Sequence, residues 1–123
     1  MKRHQIPEEL QNLLPLTPAV FFVLLSLSDG EKHGYAIMQE IATLSDGRFR
    51  AGPGTLYTTL QRLLELGLIQ EVSGCDAASE RDSRRRYYRL KGAGRTLLET
   101  ELIRLESVVR LAHRKKLVSR TAE

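Results

Sequence analysis

One face of a predicted helix carries side chains whose hydroxyl, amide and guanidinium groups suit contacts with DNA. The helix is predicted from about Pro53 to Leu66, since proline favours a first helical turn and Gly67 closes the pattern. At about 100° per residue, leucines share one face and polar residues occupy the other. Threonine hydroxyls and methyls can meet base edges in the major groove, and an arginine can grip guanine or a phosphate. The candidates on this face are Thr55, Thr58, Gln61 and Arg62.

Two basic segments stand out from an otherwise acidic chain. The 123 residues carry a formal net charge of +4, but residues 81–91 and residues 110–120 each carry +5, so the other 101 residues carry −6. Solvated surface charge would explain either segment alone, whereas this concentration favours a polyanionic partner. We expect the first segment to lie on the sugar-phosphate backbone or in the minor groove through Arg84, Arg85 and Arg86. The second either complements a helix C-terminus or adds a DNA contact.

The order of predicted elements is helix, helix, turn, helix, strand, basic loop, strand, helix, which is typical of a winged helix-turn-helix. The fold class is therefore mainly α with a small two-stranded β-hairpin, the wing, followed by a long C-terminal helix. Backbone N–H groups at the starts of the third and fourth helices, near Tyr35 and Gly54, are candidates for phosphate contacts. The other helices are predicted over residues 7–14, 18–27, 34–44 and 92–117, and the strands over residues 68–72 and 86–90.

The long last helix carries a short apolar seam with spacings of 4, 3, 4 and 3 residues, as in a coiled coil of about two heptads. Such a seam either packs on its own domain or pairs with a second copy of the chain, and further apolar residues beside it favour pairing. We therefore divide the chain into a DNA-binding domain, residues 1–91, and a dimerisation helix with a basic tail, residues 92–123. The seam residues are Leu98, Leu102, Leu105, Val109 and Ala112.

Four short stretches in a fixed order resemble the PadR family of bacterial transcriptional regulators. They are His33–Ile37, Gly54–Tyr57, Leu63–Ile69 and Arg85–Leu90. The resemblance implies a homodimeric repressor that binds a palindromic operator in double-stranded DNA, with a small-molecule effector expected but not identified. It also implies that the short first helix assists the last one in dimerisation, and that two tyrosines contact phosphates. The residues concerned are Leu10 and Leu14 in the interface, and Tyr35 and Tyr57 on the DNA.

Other function classes find little support in the sequence. It holds no catalytic Ser/His/Asp or Cys/His spacing, no phosphate-cradling glycine loop and no metal-binding pair, so we expect neither an enzyme nor a cofactor or metal. The single cysteine, Cys75, and the lack of an export signal or membrane-spanning run indicate a cytoplasmic protein without disulfides. The remaining alternative is a winged helix used only for protein-protein docking, which would not need an arginine-rich wing.

Overall fold

The computed structural model describes residues 7–72 and 86–118, which contain five helices and three short strands. Their order confirms the predicted winged-helix class. The helices are α1 (Glu8–Gln11), α2 (Pro18–Ser26), α3 (Gly34–Leu44), α4 (Pro53–Glu65) and α5 (Gly92–Arg114). The strands are β1 (Lys32–His33), β2 (Ile69–Val72) and β3 (Tyr87–Leu90). No helix within these two ranges combines the length and the apolar character needed to cross a lipid bilayer.

The sheet of the described chain has one strand more than the predicted hairpin. β2 and β3 pair in an antiparallel manner, with Ile69 opposite Leu90, and β1 joins the other edge of β3 to give the order β1-β3-β2. The extra strand is only two residues long, so it has no alternation of apolar and polar residues that a sequence pattern could reveal. It exists because the chain entering α3 runs beside β3, which places Lys32 opposite Tyr88.

The core forms where α2, α3, α4 and the start of α5 meet the sheet. α2 is apolar on nearly every side, and its Val23 and Leu24 are buried, as such a helix must be. Thr17 caps its first turn by accepting a hydrogen bond from the Val20 N–H at 3.3 Å. The other helices contribute one stripe each, namely Ile37 and Ile41, then Leu56, Leu60 and Leu63, and finally Leu97 and Leu98.

Two helices end earlier than their sequence patterns predicted. α1 ends at Gln11 rather than Leu14, since the conformation of a residue before proline, here Leu14 before Pro15, is biased away from the helix. α5 ends at Arg114 rather than Leu117, because Lys116 adopts a left-handed φ of 62°. That residue turns the chain back so that the Leu117 N–H donates to the Ala112 carbonyl at 2.9 Å, closing the helix end.

The start of α5 belongs to the core and not to a free seam. Its buried stripe is Gly94, Leu97, Leu98 and Glu101, at positions i, i+3, i+4 and i+7. A methyl group on Gly94 would collide with the Leu68 carbonyl and lie 2.9 Å from Leu90 Cδ1, so only glycine allows this helix to approach the sheet so closely. The first two turns of α5 are therefore packed on their own domain. For this part of the helix, the seam follows the first of the two interpretations given above.

Two residues predicted for the dimer interface are buried in this core. Leu98 is 3% exposed and Leu10 is 5% exposed, and both belong to the same buried cluster as the leucines of α4. The heptad spacing correctly puts Leu98 on the same side of the helix as the other seam residues. Spacing alone does not show which residues of this apolar stripe are buried by other parts of the same chain. The exposed large apolar side chains of α5 start one turn later, at Leu102.

A buried carboxylate joins α5 to the segment between α1 and α2. Glu101 is 3% exposed, and its Oε2 accepts a hydrogen bond from the Leu16 backbone N–H at 2.9 Å, 85 residues away in the chain. Arg104 donates two more hydrogen bonds to it, at 2.7 Å and 3.1 Å. The hydrogen bonds from Arg104, the bond from Leu16 and the charge of Arg104 lower the pKa of Glu101 below its ordinary value, although burial opposes them.

We expect Glu101→Ala to lower the free energy of unfolding by about 2–3 kcal/mol, because it leaves the Leu16 N–H without its acceptor. Glu101→Gln keeps an acceptor but removes the charge opposite Arg104, so its cost is smaller, about 1 kcal/mol. Urea unfolding monitored by circular dichroism measures both changes. Equal costs for the two variants would contradict the assigned hydrogen bond to Leu16.

The same pair of proteins tests the charge on Glu101. A lowered pKa means that the carboxylate stabilises the fold above its ordinary value of 4.5 and that this contribution is lost as the pH falls through the folded-state value. The wild-type chain therefore loses more stability than Glu101→Gln as the pH falls from 4.5 through the lowered folded-state pKa. Parallel pH profiles for the two proteins would exclude the lowered pKa.

Candidate DNA-binding surface

The predicted reading helix, α4, presents its two faces as the sequence indicated. Leu56, Leu60 and Leu63 are turned into the core, each with 1% exposure or less. The opposite face is open to solvent and forms a shallow concave surface along the helix. The exposed polar candidates on that face are Thr55, Thr58, Gln61 and Arg62. The leucines fix the rotation of the helix, and that rotation directs the polar side chains outward.

The first turn of α4 keeps backbone N–H groups available for an anion. Gly52 is the N-cap residue and Pro53 the first helical residue, and no side chain in the described part of the chain caps this turn. Gly54 and Thr55 are both exposed, so a phosphate oxygen has access to their N–H groups. α3 differs, because the His33 ring accepts a hydrogen bond from the Ala36 N–H through Nδ1 at 3.3 Å.

The starts of α3 and α4 are joined by a tyrosine that lies across a glycine. The ring of Tyr57 covers Gly34, where an added Cβ would collide with the tyrosine hydroxyl and lie 3.0 Å from its Cζ. Tyr57 nevertheless remains 49% exposed, and Tyr35, the next residue in α3, is 60% exposed. The structure therefore brings both predicted phosphate-contacting tyrosines to the surface beside the reading helix. No pattern in the sequence indicates the contact between Tyr57 and Gly34.

The base of the wing carries an exposed arginine. Arg86, just before β3, is exposed, and its Nε lies 3.5 Å from Oε2 of Glu71 on β2. Tyr88 is buried beneath them, and burial raises its pKa above the ordinary value, with Glu71 and Tyr57 acting in the same direction. Adjacent residues of a strand point to opposite faces, and of the two tyrosines that begin β3 it is Tyr88 that lies in the core. Arg84, Arg85 and Cys75 lie outside the described residues.

Apart from Leu14, the remaining residues predicted for a dimer surface lie on the second half of α5. Leu102 and Val109 are exposed, whereas Leu14, Leu105 and Ala112 are partly buried. Further large apolar side chains are exposed along the same stretch, on several sides of the helix. They are Ile103, Val108 and Leu111, each about half exposed. An isolated helix with so much exposed apolar surface is unusual for a soluble monomer.

A lysine that sequence analysis did not single out holds β1 in place. The Nζ of Lys32 donates to the Ser26 carbonyl and to Asp29 Oδ1, each at 2.6 Å, and lies 3.6 Å from Glu40 Oε1. Lys32 therefore links the end of α2 to α3 and helps to fix the position of the first turn of α3. In the sequence, acidic residues stand three positions before and eight positions after this lysine. Such an arrangement is common on protein surfaces, so it did not indicate a structural role.

Comparison with known proteins assigns the family. A family model described as the transcriptional regulator PadR-like family matches residues 23–100, which include α3, α4, the wing and the start of α5. The chain belongs to the PadR-like family of transcriptional regulators. The matched region also contains the four stretches from which the resemblance was predicted.

Two relatives and one solved structure show how far this similarity of the PadR-like chain extends. It is 38% identical over 89 residues to the transcriptional regulator Rv3488 of Mycobacterium tuberculosis, covering 72% of this chain and 76% of that protein. It is 40% identical over 96 residues to an uncharacterized 37.1 kDa protein in transposon TN4556 of Streptomyces fradiae, covering 78% of this chain. The chain spans only 24% of the length of that second relative.

The solved structure is PadR of Bacillus subtilis in complex with operator DNA. It shares 22% identity with this PadR-like chain and superposes with a TM-score of 0.62, over 72% of this chain and 48% of that one. At this level of identity the similarity concerns the fold. It shows that a winged helix with this arrangement of α3, α4 and wing occurs in a protein that is bound to its operator.

We expect Gly34→Ala to destabilise the protein by about 0.5–1.5 kcal/mol, since the new methyl group displaces the end of the half-exposed Tyr57 side chain from its position. The backbone of Gly34 is outside the left-handed region, so alanine is otherwise acceptable there and would ordinarily stabilise by about 0.4–1 kcal/mol. In a Tyr57→Ala background the same substitution should therefore become neutral or stabilising. A double-mutant cycle from urea unfolding measures the coupling, and additive effects would exclude the contact.

Proposed function

We propose that this PadR-like regulator is a homodimeric repressor that binds a two-fold symmetric operator with one α4 helix in each half-site. The observation that carries the proposal is the rotation of α4. Its leucine face is fully buried, and its exposed face consists of side chains that hydrogen-bond to bases and phosphates. A helix held in this way presents a rigid polar ridge of the width that the major groove admits.

Each candidate residue receives a role from its position on this surface. Thr58 and Gln61 lie in the middle of the exposed face, where base edges are within reach, and Arg62 serves either guanine or a phosphate. Thr55 and Gly54 offer uncapped N–H groups at the positive end of the α4 dipole. Tyr35 and Tyr57 flank this end with exposed hydroxyls, which suit hydrogen bonds to phosphate oxygens.

The wing adds a second, less selective contact. Arg86 stands exposed at its base, and Arg84 and Arg85 precede it directly in the chain. Guanidinium groups on a phosphate backbone contribute affinity that depends on salt but little on sequence. In the free protein Glu71 is the partner of Arg86, and a phosphate would take over this role in the complex.

The exposed half of α5 supports a dimer. Leu102, Leu105, Val109 and Ala112 form the seam, and Leu14 lies on the segment that Glu101 attaches to the same helix. Two copies related by a two-fold axis would place their reading helices about 34 Å apart, one turn of B-DNA, which requires a palindromic operator. A regulator of this kind acts where the DNA is, so we place it in the cytoplasm, and we assign it no catalytic activity of its own.

Two substitutions separate the roles of wing and reading helix. Arg85→Ala with Arg86→Ala should weaken binding to all DNA sequences alike and flatten the plot of log K against log salt by up to about 2 units, since each phosphate contact contributes about 0.9. The matched control, Arg85→Lys with Arg86→Lys, keeps the charge and should retain the slope. Fluorescence anisotropy on labelled duplexes at several salt concentrations measures these quantities.

Thr58→Ala, in contrast, should change which base is preferred at one operator position while it leaves the salt slope unchanged. Selection from a random duplex library with the wild-type and variant proteins reveals the preference. If the wild-type protein binds duplex DNA without any salt slope, the proposed function fails and a protein-docking role takes its place. If both sets of substitutions alter the preference equally, the division of roles is wrong.

Replacing Leu102 and Leu105 by glutamate should convert the dimer to monomers, because the charges would face each other across the seam. The expected consequence is a lower sedimentation coefficient together with weaker operator binding. Ser107→Glu is the matched control, since Ser107 lies on the side of α5 away from the seam. An unchanged sedimentation coefficient for the double variant would rule out this interface.

A further inference from the structure

A small cleft separates the reading helix from the segment that leads into α2. Its volume is about 270 Å³, and one wall comes from α4 while the other comes from residues before and within α2. The α2 side is largely aliphatic, and the α4 side carries two hydroxyls and a guanidinium. The lining residues are Leu13, Leu16, Thr17 and Val20 on the first wall, and Thr58, Thr59 and Arg62 on the second.

The polar wall of this cleft has hydrogen-bonding capacity that the chain itself does not use. Within residues 7–72 and 86–118, no protein group hydrogen-bonds to the side chains of Thr58 and Thr59 or pairs with the guanidinium of Arg62. The nearest acid along α4, Glu65, accepts a hydrogen bond from Gln61 at 3.3 Å and does not line the cleft. A cation and two hydroxyls opposite an aliphatic wall are complementary to an anionic head group with an apolar body.

The aliphatic wall is held in position by the interaction with α5. The Leu16 N–H is bound by the buried carboxylate of Glu101, and Thr17 caps α2 directly after it. The backbone of this wall is therefore fixed by contacts within the folded chain. The size of the cleft is just below the roughly 300 Å³ at which small-molecule pockets commonly begin, which limits a ligand to on the order of ten non-hydrogen atoms.

We propose that this cleft binds a small carboxylate with a short aliphatic body, and that the bound ligand weakens DNA binding. The carboxylate pairs with Arg62 and accepts hydrogen bonds from the threonine hydroxyls, while the body lies along Leu13, Leu16 and Val20. The effect on DNA rests on the proposed function, because Thr58 and Arg62 are also the residues that would face the operator. A ligand and an operator that need the same side chains exclude each other, and the coupling is reciprocal.

Octanoate, with ten non-hydrogen atoms, is the probe for this site, and octan-1-ol is its uncharged control. Isothermal titration calorimetry without DNA should show saturable binding of one octanoate per chain. Arg62→Gln should weaken it by about tenfold or more, because a charge-assisted hydrogen bond contributes about 1.5–3 kcal/mol. Octan-1-ol should bind about tenfold more weakly than octanoate for the same reason.

A second set of variants fills the cleft without touching the proposed DNA contacts. Leu13→Trp and, independently, Val20→Phe should abolish octanoate binding, and circular dichroism melting identifies whichever of the two remains folded. Nuclear Overhauser effects from the octanoate chain to the methyl groups of Leu13 and Val20 should appear in the wild-type protein. The proposal is overturned if octanoate does not bind. It is also overturned if octanoate binds Arg62→Gln and the folded cleft-filling variant as tightly as it binds the wild type, and that result would indicate binding at the apolar face of α5.

Competition with operator DNA tests the regulatory part. Octanoate should lower the affinity of the wild-type protein for duplex DNA but have no effect on the folded cleft-filling variant, whose affinity without ligand should equal that of the wild type. Equal loss of DNA affinity in both proteins would contradict the site. Failure of the proposed function appears separately, as a wild-type protein that binds octanoate in the cleft but binds no DNA at any salt concentration.

Discussion

The hydrogen bond from the Leu16 N–H to the buried carboxylate of Glu101 connects two parts of the chain that lie 85 residues apart. Burying a carboxylate is unfavourable unless an opposite charge lies nearby and its oxygens accept hydrogen bonds. Here Arg104 provides the opposite charge, and Arg104 and the Leu16 amide donate the hydrogen bonds. The position of α5 against the start of α2 follows from these interactions. Because α2 is the central helix of the core, the long helix is thereby oriented relative to the whole DNA-binding domain.

This anchoring divides α5 into two parts with different environments. The first part packs on the domain through Leu97 and Leu98, with Gly94 against the backbone of Leu68. The second part leaves the domain with its apolar residues exposed, which suits a second subunit. In the proposed dimer, a change in the arrangement of the two subunits would therefore be transmitted to the domain through a rigid helix. A ligand in the proposed cleft would act on DNA binding more directly, since one wall of the cleft is the reading helix itself.

The charges of the chain support the same division. The body is mildly acidic, and two described acids near the wing are paired with arginines, Glu71 with Arg86 and Glu31 with Arg89 at 3.4 Å. These exposed pairs contribute little to stability, but they leave cations at the surface that a phosphate can engage. In the proposed function, specificity comes from the threonine and glutamine side chains of α4, and affinity comes from the arginines of the wing.

Most of the fold was predictable from local patterns. Proline and threonine at the start of α2, the leucine spacing of α4 and the glycines around it act within a few residues, so the helices, the hairpin and the outward face of α4 could be read directly. The stretches shared with the PadR family had the same origin. The two-residue strand β1 could not be read, because it is formed by pairing with β3 and has no pattern of its own.

The amino-acid sequence by itself therefore determined the winged-helix order, the family and the side chains available for DNA. The tertiary structure decided which apolar residues the chain covers itself, moving Leu10 and Leu98 from the predicted interface into the core. It also decided that Glu101 is buried, that Tyr57 rests on Gly34 and that a cleft lies beside Arg62. Each of these depends on two segments that are distant in sequence, and periodicity describes only how one segment is arranged around its own axis.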